Sequence, residues 1–223
     1  MSVCQIGAFG FNPLRLDNTQ RDTLARAIPL AAATGCPYIV INGGNYHASA
    51  FGSAEPRNFT EDALDEVAAV LKPLLALAEE HGVHLSIEAI LKSAISSPER
   101  FLSLWSRVES DALVVNIDVT SLYDYWDLID PSASIDHICA SLAGHYGLVH
   151  IKEVALAEGF HIHAGLVPLG EGRTDWARVL AAVAPHLPAD SWVVLEHVQS
   201  AEEAKRSLTL LRRAATEAGV SLK

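Results

Sequence analysis

Two apolar rhythms alternate along this chain. Short, nearly continuous apolar runs occupy residues 4–9, 38–41, 83–88, 113–118, 148–151 and 192–196. Each is the length of a strand, and most are rich in Val and Ile. Between them lie stretches with helical spacing. One covers Asn18–Thr34, with Asp17 or Asn18 as its cap, Gly35 as its stop and a kink or break expected at Pro29. The longest covers Glu61–His81, capped by Thr60, opened by Glu61 and Asp62 and closed by Gly82. Ser97-Pro98-Glu99 opens another, with proline in the first turn. Further helices are predicted over 135–142, from a Thr174 or Asp175 cap to Val183, and over 201–218. Runs such as YIVI and WVVL show no polar alternation, so both strand faces are covered, as in a parallel sheet flanked by helices. Strand followed by helix, repeated, predicts an α/β fold. The count is six strands.

A length of 223 residues suits one domain, taken here as 1–223, with a sizeable core. Half the chain is apolar and no segment is of low complexity. The three cysteines, Cys4, Cys36 and Cys139, are widely spaced and form no CxxC pair, which argues for a reducing, cytoplasmic setting. The first residues lack a basic segment followed by an apolar core, so no signal peptide is expected. The uncharged stretch over 28–45 is broken by Pro29, Gly35 and Pro37 and does not read as a membrane span. The net charge of −11 comes with no basic stripe. Phosphate-backbone binding needs clustered Lys and Arg, so a nucleic-acid partner is not expected.

The candidate chemistry sits at the ends of four apolar runs. Glu88 closes HLSIE, Asp118 closes LVVNID, His150 closes GLVH and Glu196 closes WVVLE. A parallel barrel collects its functional residues at the C-terminal ends of its strands. A period of two puts Ser86 with Glu88, Asn116 with Asp118, and His150 with Lys152 on shared faces. Three carboxylates and one imidazole suit Mn²⁺, Mg²⁺ or Co²⁺, with Zn²⁺ also compatible. His47 lies beyond another strand end, after GGNY, and is a candidate substrate contact. His161 and His163, in HIH, are expected in a loop beside the site, with a second metal as the lesser reading.

The order Glu, Asp, His, Glu, together with HIKE at 150–153, PLGEGRTDW at 168–176 and LEH at 195–197, resembles the xylose-isomerase-like TIM-barrel superfamily. Its sugar isomerase and epimerase branch, which includes ketose 3-epimerases, is the most similar. The stretch 32–36 ahead of YIVI is also similar to a segment before the fourth strand of that family. The resemblance implies that Glu88, Asp118, His150 and Glu196 ligate one divalent metal. It implies that Glu88 and Glu196 double as the acid/base pair, one taking a C–H proton and the other returning it, while the metal stabilises an enediolate. Lys152 would hold a hydroxyl, carboxylate or phosphate of a small sugar, with Glu153 and His47 beside it. A homo-oligomer is the implied assembly.

Three departures from the family pattern stand out. Ser121 occupies a position where many relatives carry His, and Glu153 stands where HxKD has Asp. The first strand matches the third strand of the family barrel, so a TIM-type barrel lacking its first two strand–helix units is predicted, open or closed by a partner chain. The rival readings are a metal-dependent lyase or dehydratase, an abasic-site endonuclease on the same fold, and an inactive metal-binding module.

Overall fold

The computed structural model describes residues 2–15, 18–49, 51–189 and 191–222. The chain divides into two compact units, Met1–Asn116 and Ile117–Lys223. In the first, β1 (Gln5–Gly7), β2 (Tyr38–Asn42), β3 (His84–Glu88) and β4 (Leu113–Ile117) pair in parallel, each with the next. Helices α1 (Asn18–Thr34), α2 (Glu61–His81) and α3 (Pro98–Val108) alternate with them. Every residue of β2 is buried, as its unbroken apolar run predicts. In α2, Leu64, Val67, Ala68, Leu71, Leu74, Leu75 and Ala78 are buried at helical spacing. Its ends form as expected: Thr60 accepts from the Ala63 N–H, and Gly82 takes the left-handed conformation at φ 64°. Ser97 caps α3 by accepting from Arg100 N–H, with proline in the first turn. Helix α1 runs through Pro29 without ending there, so the proline is not the break allowed for above. The cap expected at Asp17 or Asn18 lies outside the described residues and side chains.

The second unit contains α4 (Ser132–Leu142), β5 (Tyr146–Ile151), β6 (Glu153–Leu156), β7 (Ala164–Val167), α5 (Trp176–Val183), β8 (Val193–Leu195) and α6 (Ala201–Glu217). Strands β5 and β8 pair in parallel, with His150 opposite Val194. Asp175, not Thr174, caps α5, accepting from Arg178 N–H. Ser200 caps α6, with Glu202 and Glu203 in the first turn where the helix dipole favours them. The element missed from the sequence is the antiparallel hairpin of β6 and β7, separated from the end of β5 by Lys152 alone. Its β7 residues are largely exposed, so the apolar periodicity that marks the buried strands is missing there.

Six strands thus form parallel pairs and alternate with helices, an α/β arrangement of the TIM type with two strands fewer than a closed eight-stranded barrel. Among the described residues, no helix is long and apolar enough to cross a membrane.

Candidate active site

In the second unit the structure gathers Asp118, His150, Lys152 and Glu196. His150 is on β5, a strand buried along its whole length, and its side chain is fully buried. Glu196 follows β8, and its backbone N–H donates to the Ile151 carbonyl, which fixes it beside the end of β5. The His150 Nδ1 and Glu196 Oε1 atoms lie 2.9 Å apart. Lys152 Nζ is 3.3 Å from Glu196 Oε2 and also pairs with Asp118 Oδ2. One ammonium group therefore bridges two carboxylates in a largely buried setting, where a charge needs such partners.

Asp118 is held from every side. Its Oδ1 accepts from Thr120 Oγ1 at 2.8 Å and from Ser121 N–H at 3.2 Å, capping the 3-10 turn Val119–Leu122. Its Oδ2 accepts from Ser121 Oγ at 3.2 Å and pairs with Lys152. Ser121, the departure from the family's histidine, thus acts as a hydrogen-bond donor to the carboxylate three residues before it. His197 has φ 54°, the left-handed region that costs a non-glycine residue roughly 1 kcal/mol or more. Its side chain is half exposed beside Glu196.

Glu153 adjoins Lys152 in sequence but engages other partners. It is buried, its Oε1 accepts from Thr174 Oγ1 at 2.8 Å, and its Oε2 accepts from Trp176 Nε1 at 3.0 Å. Burial pushes its carboxyl above the usual range, opposed by these donors and by backbone N–H groups of Gly170 and Val154. Tyr123 is buried near this carboxylate, and burial raises its phenol as well. His161 and His163 are exposed in the turn between β6 and β7 and gather no third metal-type ligand among the described residues.

In the first unit Glu88 ends β3 and is buried, with Asn42 and Asn116 as its register neighbours on β2 and β4. Asn116 Nδ2 donates to Glu88 Oε2 at 3.5 Å, and Asn116 Oδ1 meets no donor among the described residues. His47 is half-buried: its N–H donates to Asn45 Oδ1 at 2.9 Å, and its Nδ1 accepts from Ser49 N–H at 3.1 Å. Behind it four buried asparagines form a network that the sequence reading missed. Asn12 Nδ2 donates to the Asn45 carbonyl, Asn58 Nδ2 donates to Asn45 Oδ1, and Asn42 Oδ1 accepts from Gly44 N–H. These amides satisfy the backbone of the loops leaving β1 and β2. The only signal for them was asparagine beside apolar runs, in FN, VINGGN and RNF.

The sequence matches the xylose isomerase-like TIM barrel family over residues 1–214, and the chain belongs to that family. A search of curated proteins finds no match. Among solved structures, the chain is similar to a xylose isomerase-like TIM barrel protein from Mycobacterium smegmatis in complex with magnesium. The TM-score is 0.74 at 15% identity, covering 98% of this chain and 74% of that one. It is also similar to an L-ribulose 3-epimerase, with a TM-score of 0.69 at 18% identity over 96% of this chain and 75% of that one. A probable 3-DHS dehydratase, AsbF of Bacillus anthracis, gives 0.68 at 16% identity, covering 95% and 76%. At these identities the likeness is one of fold.

Proposed function

We propose that this protein is a divalent-metal-dependent isomerase or epimerase of a small sugar or sugar derivative. The observation that carries the reading is the pairing of His150 with Glu196, beside Asp118 and Lys152. His150 Nδ1 and Glu196 Oε1 are 2.9 Å apart, so both could turn to one ion. An imidazole with hard carboxylate oxygens fits Mn²⁺, Mg²⁺, Co²⁺ or Zn²⁺. In this reading Glu88, Asp118, His150 and Glu196 would hold the ion, with Lys152 beside Asp118 and Glu196. When bound, the ion supplies Lewis-acid polarisation of the substrate's carbonyl and hydroxyl oxygens.

The chain's own residues move the proton. Glu88 and Glu196 are the acid/base pair of this reading: one carboxylate takes the C–H proton beside the carbonyl. The other returns a proton to the opposite face or to the neighbouring carbon. Lys152 then donates to a substrate oxygen, with His47 as the further contact of this reading; Glu153, the other contact expected from the sequence, is taken up by Thr174 and Trp176. A lyase begins with the same proton removal, so the products decide between the two.

The first test is elemental analysis of purified wild type beside Glu196→Gln and His150→Ala. The expected result is near one equivalent of divalent metal, lost in both variants. An empty wild type after reconstitution with excess metal overturns the reading. Incubation of the loaded protein with a ketose panel in D₂O then reads solvent deuterium in the products, with epimer or isomer formation expected and loss of water pointing to a lyase.

A further inference from the structure

The loop 168–175 lies beside the Lys152 and Glu196 side chains. Leu169 lines the same cleft as Lys152, Glu153, Glu196 and His197. This loop joins the end of β7 to the start of α5; Glu171 N–H donates to the Pro168 carbonyl and Arg173 Nη1 to the Ile129 carbonyl. A buried carboxylate holds it as well. Glu153, buried on β6, accepts from Thr174 and Trp176 at the loop's far end, and the Gly170 backbone adds a third donor. The loop backbone also packs directly on that carboxylate: a Cβ at Gly172 would stand 2.4 Å from Glu153 Oε1. Gly172 does not adopt a positive φ, so its requirement is for space and not for conformation.

We propose that Glu153 is a positioning residue that fastens the 168–175 loop as a wall of the substrate cleft. This inference rests on the proposed sugar-enzyme reading of that cleft. Glu153 acts through the loop, not by touching the substrate. The longer arm at this position is what the contact needs: an aspartate would withdraw the carboxylate by about one C–C bond, roughly 1.5 Å, and hydrogen bonds of 2.8 and 3.0 Å do not survive that withdrawal. A glutamine keeps the reach and one acceptor oxygen for Trp176, while its amide donates to Thr174 Oγ1, a hydroxyl that also accepts.

The test compares wild type with Glu153→Gln, Glu153→Asp, Glu153→Ala and Gly172→Ala, all as full chains. Amide hydrogen exchange over 168–175 is read first, because it needs no substrate. Exchange there is expected to rise at least ten-fold in the Asp, Ala and Gly172→Ala variants and to stay near wild type in the Gln variant. Metal content is expected to be unchanged in all four. With an active substrate in hand, KM is expected to rise about ten-fold in the same three variants while kcat changes less than three-fold. Unchanged loop exchange in Glu153→Ala and Gly172→Ala overturns the proposal. So does a fall in kcat with KM unaltered, which would make Glu153 part of the chemistry. Loss of metal binding or of all sugar turnover in wild type overturns the functional reading instead, and the exchange result still decides the role of Glu153. If Glu153→Ala fails to fold, Gly172→Ala, which leaves the carboxylate intact, carries the test.

Discussion

Glu153 shows how one residue's surroundings set its behaviour. It is a carboxylate taken from water and surrounded by donors, and desolvation outweighs them, so its carboxyl titrates above the usual range. A raised folded pKa means that the folded state holds the proton when the unfolded chain has released it. Stability then falls as pH rises from the ordinary glutamate pKa to the raised one, and is flat above it. Glu153→Gln removes this titration. Thermal melts of the two proteins across the acid range are expected to converge at low pH, with the Gln variant equal or more stable near neutrality. A wild type that gains stability over the window through which the Gln variant stays flat would show the opposite sign. Asp118 offers the contrast of a buried carboxylate fully matched by Thr120, Ser121 and Lys152. Ser121 could be read from the sequence only as an absent histidine. Its bonds to Asp118 depend on the 3-10 turn that brings residue 121 back to residue 118.

Among the elements, the strand exits are the points of tightest fit. At Gly43, just after β2, a Cβ would lie 2.7 Å from Ile95 Cβ and 2.8 Å from Ser93 Oγ. Neither neighbour is the loose end of a flexible side chain, as both belong to the buried 93–95 segment. Gly43→Ala is expected to destabilise the fold by about 1–3 kcal/mol, as overpacked cores do, measured as a lower midpoint in urea unfolding. The Gly43-Gly44 turn was visible in the sequence as the end of a strand, but the reason for Gly43 was not, because Ile95 is far away along the chain. The helices were the most legible elements. The boundaries of α1 and α2, the Thr60 and Ser97 caps and the Gly82 stop all follow from local chemistry, which a sequence states directly. The β6 and β7 hairpin was illegible because β7 is exposed and carries no buried stripe to reveal it.

For the molecule as a whole, charge sets what it meets in solution. A net charge of −11 opposes a phosphate backbone at every long-range approach. No binding to duplex DNA carrying an abasic site is expected at physiological salt, read by fluorescence anisotropy with a labelled oligonucleotide. Salt-sensitive binding with strand cleavage would instead support the endonuclease reading. The pairings leave β1 bonded only to β2 and β8 only to β5 among the described strands. The six parallel strands agree with what the alternation of strand and helix predicted, and the family agrees with the resemblance carried by the motifs at 150–153, 168–176 and 195–197.

What the sequence determined by itself was the periodic information. Burial rhythm distinguishes covered strands from amphipathic helices, caps mark the helix ends, and strand parity places Glu88, Asp118, His150 and Glu196 at strand ends, because each of these is a property of a few consecutive residues. Only the tertiary structure decided which partners those side chains meet. The Lys152 bridge between Asp118 and Glu196, the His150–Glu196 approach and the grip of Glu153 on Thr174 and Trp176 join residues separated by 21 to 46 positions along the chain. Nothing local encodes such contacts. They follow from which strand lies beside which, and from the packing that leaves each buried carboxylate a choice of donors.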